Sequence, residues 1–227
     1  MIKITELSDN DVIEKEIEMR PSNDKLAQQI LAAAKAEFFE KDFRNASMRS
    51  IASAAAAATG AIYRYYANKE ALFDVLVAEP AEEFFNEYKA YSEDFLKQEL
   101  NQQLTTLPQL TDKPNGEIEV LMKYIYQHYD AFKLIACCSV GTQYENYIER
   151  LTEIETNSGA VIVHLPKKEN RMAVDMDDTL IHIISNTIFT GIFEIISHDN
   201  SAENAEKHIN ALYDFYTAGW YEILGVS

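Results

Sequence analysis

Cysteine is almost absent from this chain. The two it has, Cys137 and Cys138, are neighbours. Adjacent residues seldom reach disulfide geometry, so a disulfide-stapled fold is excluded and reduced thiols in a cytoplasmic protein are expected. Glycine and proline are also scarce, at seven and five in 227 residues. Alternating β-branched runs are few. Together these shortages disfavour sandwiches and barrels and point to an all-α protein. Gly-rich phosphate loops and HExxH-like pairs are missing, and His128, His164, His182, His198 and His208 are scattered. No catalytic constellation, cofactor or metal is therefore expected, and the chain does not read as an enzyme. No apolar stretch resembling a signal peptide opens it. The most apolar window, Thr179 to Ile196, contains His182, Asn186 and Glu194. It reads as a buried helix, so no membrane partner is expected.

Positive charge is short as well, with 20 Lys+Arg against 37 Asp+Glu and a net of −17. The deficit is uneven. Residues 1–23 carry a net of −3 and residues 73–227 a net of −16. Residues 24–72 hold seven basic and five acidic side chains, a net of +2. Only this middle block could lie against a polyanion, while the acidic remainder repels nonspecific nucleic acid.

The middle block also has the layout of a helix-turn-helix. A short amphipathic segment from Ser47 to Ala55 is followed by Thr-Gly-Ala-Ile-Tyr-Arg-Tyr-Tyr-Ala-Asn-Lys over 59–69. Small residues at a helix start permit close approach to a base edge, and tyrosines and a lysine can hold flanking phosphates. Ser22 or Asn23 can cap a helix from Asp24 to about Glu40, with Leu26, Ile30, Ala33 or Ala34, and Phe38 inside. Ser47 can cap a second helix burying Met48, Ile51, Ala52 and Ala55. A third spans about Ala58 to Tyr65 around Ile62, and Asn68 caps a fourth through Leu72, Phe73 and Leu76 that ends or bends at Pro80. Further helices are expected over Ala81–Leu104, Glu117–Phe132, Thr142–His164 with an interruption at Asn157-Ser158-Gly159, Asp177–Ser197 and Ala202–Leu224. Pro108, Pro114 and Gly116 mark a loop, and 166–170 another.

Residues 24–76 resemble the DNA-binding domain of TetR-family transcriptional regulators. The resemblance is carried by Ile30-Leu31-Ala32-Ala33-Ala34, Phe38-Phe39, Ser47-Met48-Arg49-Ser50-Ile51-Ala52, Thr59-Gly60-Ala61-Ile62-Tyr63-Arg64-Tyr65-Tyr66 and Asn68-Lys69-Glu70-Ala71-Leu72. It implies an N-terminal arm at 1–22, a three-helix helix-turn-helix domain at 23–72, and a larger helical ligand-binding and dimerisation domain at 73–227. It also implies a homodimeric repressor on double-stranded, near-palindromic DNA, released by a small-molecule inducer. The family's DNA contacts fall on Ser47, Arg49, Ala58, Thr59, Gly60, Ala61, Tyr63, Tyr65 and Lys69, with Arg49 and Thr59 as base readers. Two positions where the family usually has glycine hold Asp42 and Ala56. Propensity alone would run one helix from Ser47 to Tyr66 through Ala54–Ala58. Ile51, Ala52 and Ile62 must share one small core, however, so a turn at Ala55–Ala57 with a left-handed Ala56 is expected.

Two further sites are read from the C-terminal helices. Met122, Ile125, His128, Tyr129, Phe132 and Cys137, facing the small residues Thr187 and Gly191, suit a mostly apolar ligand, neutral or cationic given the acidic surroundings. Leu180, Ile184, Ile188, Gly191, Ile195, Leu212, Phe215 and Trp220 suit a four-helix dimer interface. Two other readings stand beside these. One is a soft metal or redox site at Cys137, Cys138 and His128. The other is a helical binding or scaffold protein whose helix-turn-helix is vestigial.

Overall fold

The computed structural model describes residues 9–102, 116–164, 176–198 and 202–224. Among them it is all helical. The elements are α1 (Asp9–Asn45), α2 (Met48–Ala54), α3 (Thr59–Ile62), α4 (Lys69–Gln102), α5 (Gly116–Gln127), α6 (Tyr129–Cys138), α7 (Tyr147–His164), α8 (Asp178–Ser197) and α9 (Ala202–Leu224). The chain divides into two compact units, Met1–Leu76 and Val77–Ser227. The expected arm covers residues 1–8, outside the described residues, and the start of α1, which begins well ahead of the caps expected at Ser22 or Asn23.

The first unit is built on helical periodicity. Ile30, Ala34 and Phe38 recur along α1 and are fully buried, joined by Ile51 of α2, Ile62 of α3, and Leu72 and Phe73 of α4. Phe73 lies edge-on to both Phe38 and Phe43, at centroid distances of 5.2 and 5.5 Å. Such pairs add about 0.5–1.5 kcal/mol each beyond area burial. Met48, expected inside, is only partly buried.

In the second unit α8 is the central helix and packs against α6, α7 and α9. By length and composition it could cross a membrane. Here Ile181, Ile188, Phe189, Ile192, Phe193 and Ile196 bury its apolar faces inside the unit instead. Asp177 caps its start by accepting the Leu180 N–H at 2.8 Å.

Three expected boundaries are corrected. Pro80 does not end its helix, since α4 continues from Lys69 to Gln102 with Pro80 inside it. Val77, Ala81 and Phe84 are buried along this stretch, and their packing offsets the missing N–H. The single helix expected over Glu117–Phe132 breaks at His128, whose φ of −113° and ψ of 34° separate α5 from α6. The interruption expected at Asn157-Ser158-Gly159 is absent, because α7 runs unbroken from Tyr147 to His164. Gly159 serves packing there: a Cβ on it would stand 3.1 Å from Ile181 and 3.2 Å from Trp220.

Candidate nucleic-acid interface

The geometry starts at the end of α1. Asp42 has φ 61° and ψ 173°, a backbone region reserved almost wholly for glycine. Its carboxylate compensates by accepting the Asn45 N–H at 2.9 Å and the Asn45 side-chain amide at 3.0 Å. The chain thereby leaves the α1 axis and reaches Ser47, which caps α2 by accepting the Ser50 N–H at 3.1 Å.

A buried carboxylate fixes the start of α2. Glu37, 6% exposed, accepts the Ser50 hydroxyl at 2.8 Å, the Ser47 N–H at 3.3 Å and the Lys41 ammonium at 3.1 Å. Burial by itself would raise its pKa. The hydrogen bonds from Ser50, Lys41 and the Ser47 N–H, with the Lys41 charge, outweigh burial and hold it below the ordinary carboxylate range. Sequence reading missed Glu37, because a lone glutamate on a helix is normally solvated. The signal was its spacing, seven residues after Ile30 on the buried stripe.

The expected turn between α2 and α3 is present. α2 stops at Ala54, and Ala56 has φ 52°, the left-handed conformation that its place in the motif requires. Ala57 N–H still reaches back to the Ala52 carbonyl at 2.9 Å, which closes the turn. Ala58 is extended (φ −69°, ψ 141°) and starts α3 without a side-chain cap. α3 is shorter than expected, a single turn from Thr59 to Ile62, continued by turns in which Tyr65 and Tyr66 N–H both bond the Ile62 carbonyl at 2.9 Å. Asn68 caps α4 by accepting the Ala71 N–H at 2.7 Å.

Most of the nine expected DNA contacts lie on an accessible surface. Ser47, Arg49, Ala58, Thr59, Gly60 and Tyr63 are exposed, and Ala61 and Tyr65 are partly buried. A Cβ on Gly60 would meet nothing within 4 Å, so the start of α3 is open to an approaching surface. Lys69 is placed differently. Its ammonium donates to the Arg44 and Ala46 carbonyls at 3.1 and 3.0 Å and lies 4.5 Å over the Phe43 ring. It clamps the end of α1 to the start of α4, which leaves one of its three N–H donors for a phosphate.

This arrangement is a helix-turn-helix whose second helix is exposed at its start and supported by buried residues. Residues 30–76 match the family model described as bacterial regulatory proteins, tetR family. Residues 30–76 are thus a TetR-type DNA-binding domain. DNA-binding regulation of transcription follows as its general role. No curated protein matches the chain. Solved structures similar to this chain include a TetR-family transcriptional regulator of Syntrophomonas wolfei, at 16% identity, 86% and 96% coverage of the two chains, and a TM-score of 0.46. The fatty acid degradation regulator FadR of Bacillus halodurans shares 16% identity over 85% and 98% of the chains, with a TM-score of 0.44. NalD of Pseudomonas aeruginosa, the secondary repressor of the MexAB-OprM multidrug efflux pump, shares 19% over 85% and 96%, with a TM-score of 0.43.

In the second unit the expected ligand residues differ in exposure. Ile125 and Phe132 are fully buried, whereas Met122, His128 and Tyr129 are partly so. Phe132 approaches Phe193 at 6.4 Å between centroids, and Tyr129 donates to the Ile196 carbonyl at 2.9 Å, so both meet α8. Cys137 and Thr187 are exposed, and Cys138 is buried. The room expected at Gly191 is occupied, since a Cβ there would stand 2.5 Å from a methyl of Leu212. Of the expected interface residues, Ile188 is buried and Leu180, Ile184, Gly191, Ile195, Leu212 and Trp220 are partly buried. Phe215 is 75% exposed, as is Ile183 beside them at 55%.

Proposed function

We propose that this regulator is a cytoplasmic homodimeric repressor that leaves its operator when its second unit takes up a small molecule. The observation that carries the DNA half is the open start of α3. Thr59 and Gly60 stand exposed with nothing above Gly60, Arg49 and Tyr63 are exposed in the same unit, and Ile62 anchors the turn in the core. A net of +2 over 24–72 is modest, so affinity comes from close fit as much as from charge, and the acidic remainder lowers nonspecific binding. The observation behind the dimer is Phe215, whose 75% exposure with Ile183 leaves large apolar side chains in water on α8 and α9. Two copies pairing these helices would place two reading heads on a near-palindrome with half-sites about 34–36 Å apart or somewhat more.

The test is Gly60→Leu. The position is open, so the first unit keeps its stability, while a branched side chain at the base edge blocks docking. Gel shifts on duplex DNA from upstream of its own gene should show loss of binding by a folded variant. Arg49→Ala should cost about 1–3 kcal/mol at one base position per half-site and little on other sequences. Undiminished binding by Gly60→Leu would overturn the assignment of α3 as the reading element.

A further inference from the structure

Three helices of the second unit meet at one carboxylate. Glu155 on α7 accepts the Tyr88 phenol from α4 on Oε2 and the Tyr216 phenol from α9 on Oε1, the latter at 3.0 Å. Both donors are neutral. Among the described residues no lysine or arginine pairs with Glu155. A carboxylate offers about four lone-pair positions, so two phenols leave it half satisfied. Burial, and then the Glu155 charge, push both phenols well above the usual tyrosine range, so they remain protonated donors.

A second observation comes from α8. Ser185 is fully buried and faces the Tyr216 phenol, yet its Oγ meets no partner in hydrogen-bond geometry. Buried hydroxyls are normally paired, so this one, next to the Tyr216 phenol that holds Glu155, has hydrogen-bonding capacity to spare. The surroundings are aromatic. Tyr216 lies 6.1 Å from Trp220 and Tyr88 lies 5.2 Å from Phe189, each pair edge to face. Tyr88, Glu155 and Tyr216 are each partly exposed along their side chains, while the two phenol groups lie deeper.

We propose that this cluster is where the regulator recognises its ligand, and that the ligand is a small aromatic cation; the proposal rests on the functional reading above. The Glu155 carboxylate takes the positive charge and the faces of Tyr88, Tyr216 and Trp220 take the ring and the cation's flank. The Ser185 hydroxyl accepts an N–H where the cation has one. The net of −16 over residues 73–227 draws such a ligand in and opposes an anion.

Trp220 is the only tryptophan in the chain, so its emission reports on this cluster. The probes are phenethylamine, its trimethylammonium counterpart, phenethyl alcohol and hydrocinnamate, matched in ring and differing in charge, tested on the full chain. Both cations should change Trp220 emission and raise the melting temperature at concentrations at least about tenfold below the other two. Glu155→Gln should weaken both cations about tenfold or more. Ser185→Ala should weaken phenethylamine a few-fold and leave the trimethylammonium probe unchanged. Equal binding of the alcohol or the carboxylate, binding of none of the four, or full cation affinity in a folded Glu155→Gln protein would overturn the proposal. If Glu155→Gln does not fold, Tyr216→Phe keeps the carboxylate and must keep the cation preference; losing that preference refutes the role of Glu155. DNA binding is read separately by gel shift. A chain that binds the cations but no DNA sinks the regulator reading and leaves the site standing. A chain that binds DNA and ignores the cations sinks the site and leaves the DNA-binding reading; one that binds both without release overturns the cluster as the place where the regulator recognises its inducer.

Discussion

Replacing Ala56 by glycine should stabilise the first unit, although it removes a side chain and adds none. Ala56 sits at φ 52° with its methyl exposed, so no packing is lost. A left-handed non-glycine residue costs roughly 1–2 kcal/mol. Glycine returns about 0.4–1 kcal/mol of that through the freedom of the unfolded chain. The net gain is about 0.5–1 kcal/mol. The neighbouring residue supplies the control. Ala55 has φ −78°, and its methyl is buried at 6% exposure. Glycine there loses about 0.5–1 kcal/mol of backbone preference and about 0.8 kcal/mol of burial. Two adjacent alanines should therefore respond with opposite signs. Hydrogen exchange at the Ile51, Ile62 and Leu72 amides reads opening of the first unit by itself. Exchange should slow by up to about fivefold in Ala56→Gly and quicken by more than that in Ala55→Gly. The same sign in both variants would refute the left-handed turn and the division between α2 and α3 that rests on it.

Three other outcomes follow from the same fold. Glu37 has a depressed pKa in the fold, so its contribution is fully present above the unfolded carboxylate value of about 4.3 and is lost as pH falls through the lower folded value. The stability gap between the natural protein and Glu37→Gln should then be widest near neutral pH and close in acid, as measured by urea titration across pH; a gap that grows in acid would contradict the network. Lys69→Ala removes two hydrogen bonds to carbonyls and the contact with Phe43, and should cost about 2 kcal/mol in thermal unfolding before any DNA is added. A variant of unchanged stability would mean that Lys69 serves DNA alone. Phe215→Glu should convert a dimer to a monomer in sedimentation, because it places a charge on the most exposed large apolar side chain of α9; a dimer that persists would move the interface elsewhere.

Where sequence and structure agree, local chemistry and core demand pointed the same way. Ser47 and Asn68 cap because each precedes a short apolar stripe and can accept the N–H three residues on. The turn at Ala56 was legible only through Ile51 and Ile62, since the five alanines themselves favour helix. Tertiary demand outweighed propensity there. The failures share a different cause. The apolar stripe from Ile118 to Phe132 keeps its spacing through His128, so periodicity could not reveal that the backbone breaks there. Pro80 signals an end that burial of Val77, Ala81 and Phe84 overrides. Glu37 and Glu155 look like surface carboxylates until partners distant in sequence arrive: Ser47 and Ser50 for the first, Tyr88 and Tyr216 for the second. No local pattern records such a meeting.

The brevity of α3 has a consequence for how this protein can change. A helix of one turn, Thr59–Ile62, has no stability of its own. Its shape is inherited from Ile62, from the Ala56 turn before it and from the Asn68 cap behind it. The side chains that face outward, at Thr59, Gly60 and Tyr63, therefore contribute little to the scaffold that presents them. They can be exchanged one at a time without unfolding the domain. On the proposed reading, a lineage carrying this unit could readdress itself to a new operator by altering a few exposed letters, while Glu37, Lys41, Ser50 and Lys69 keep the frame that presents them.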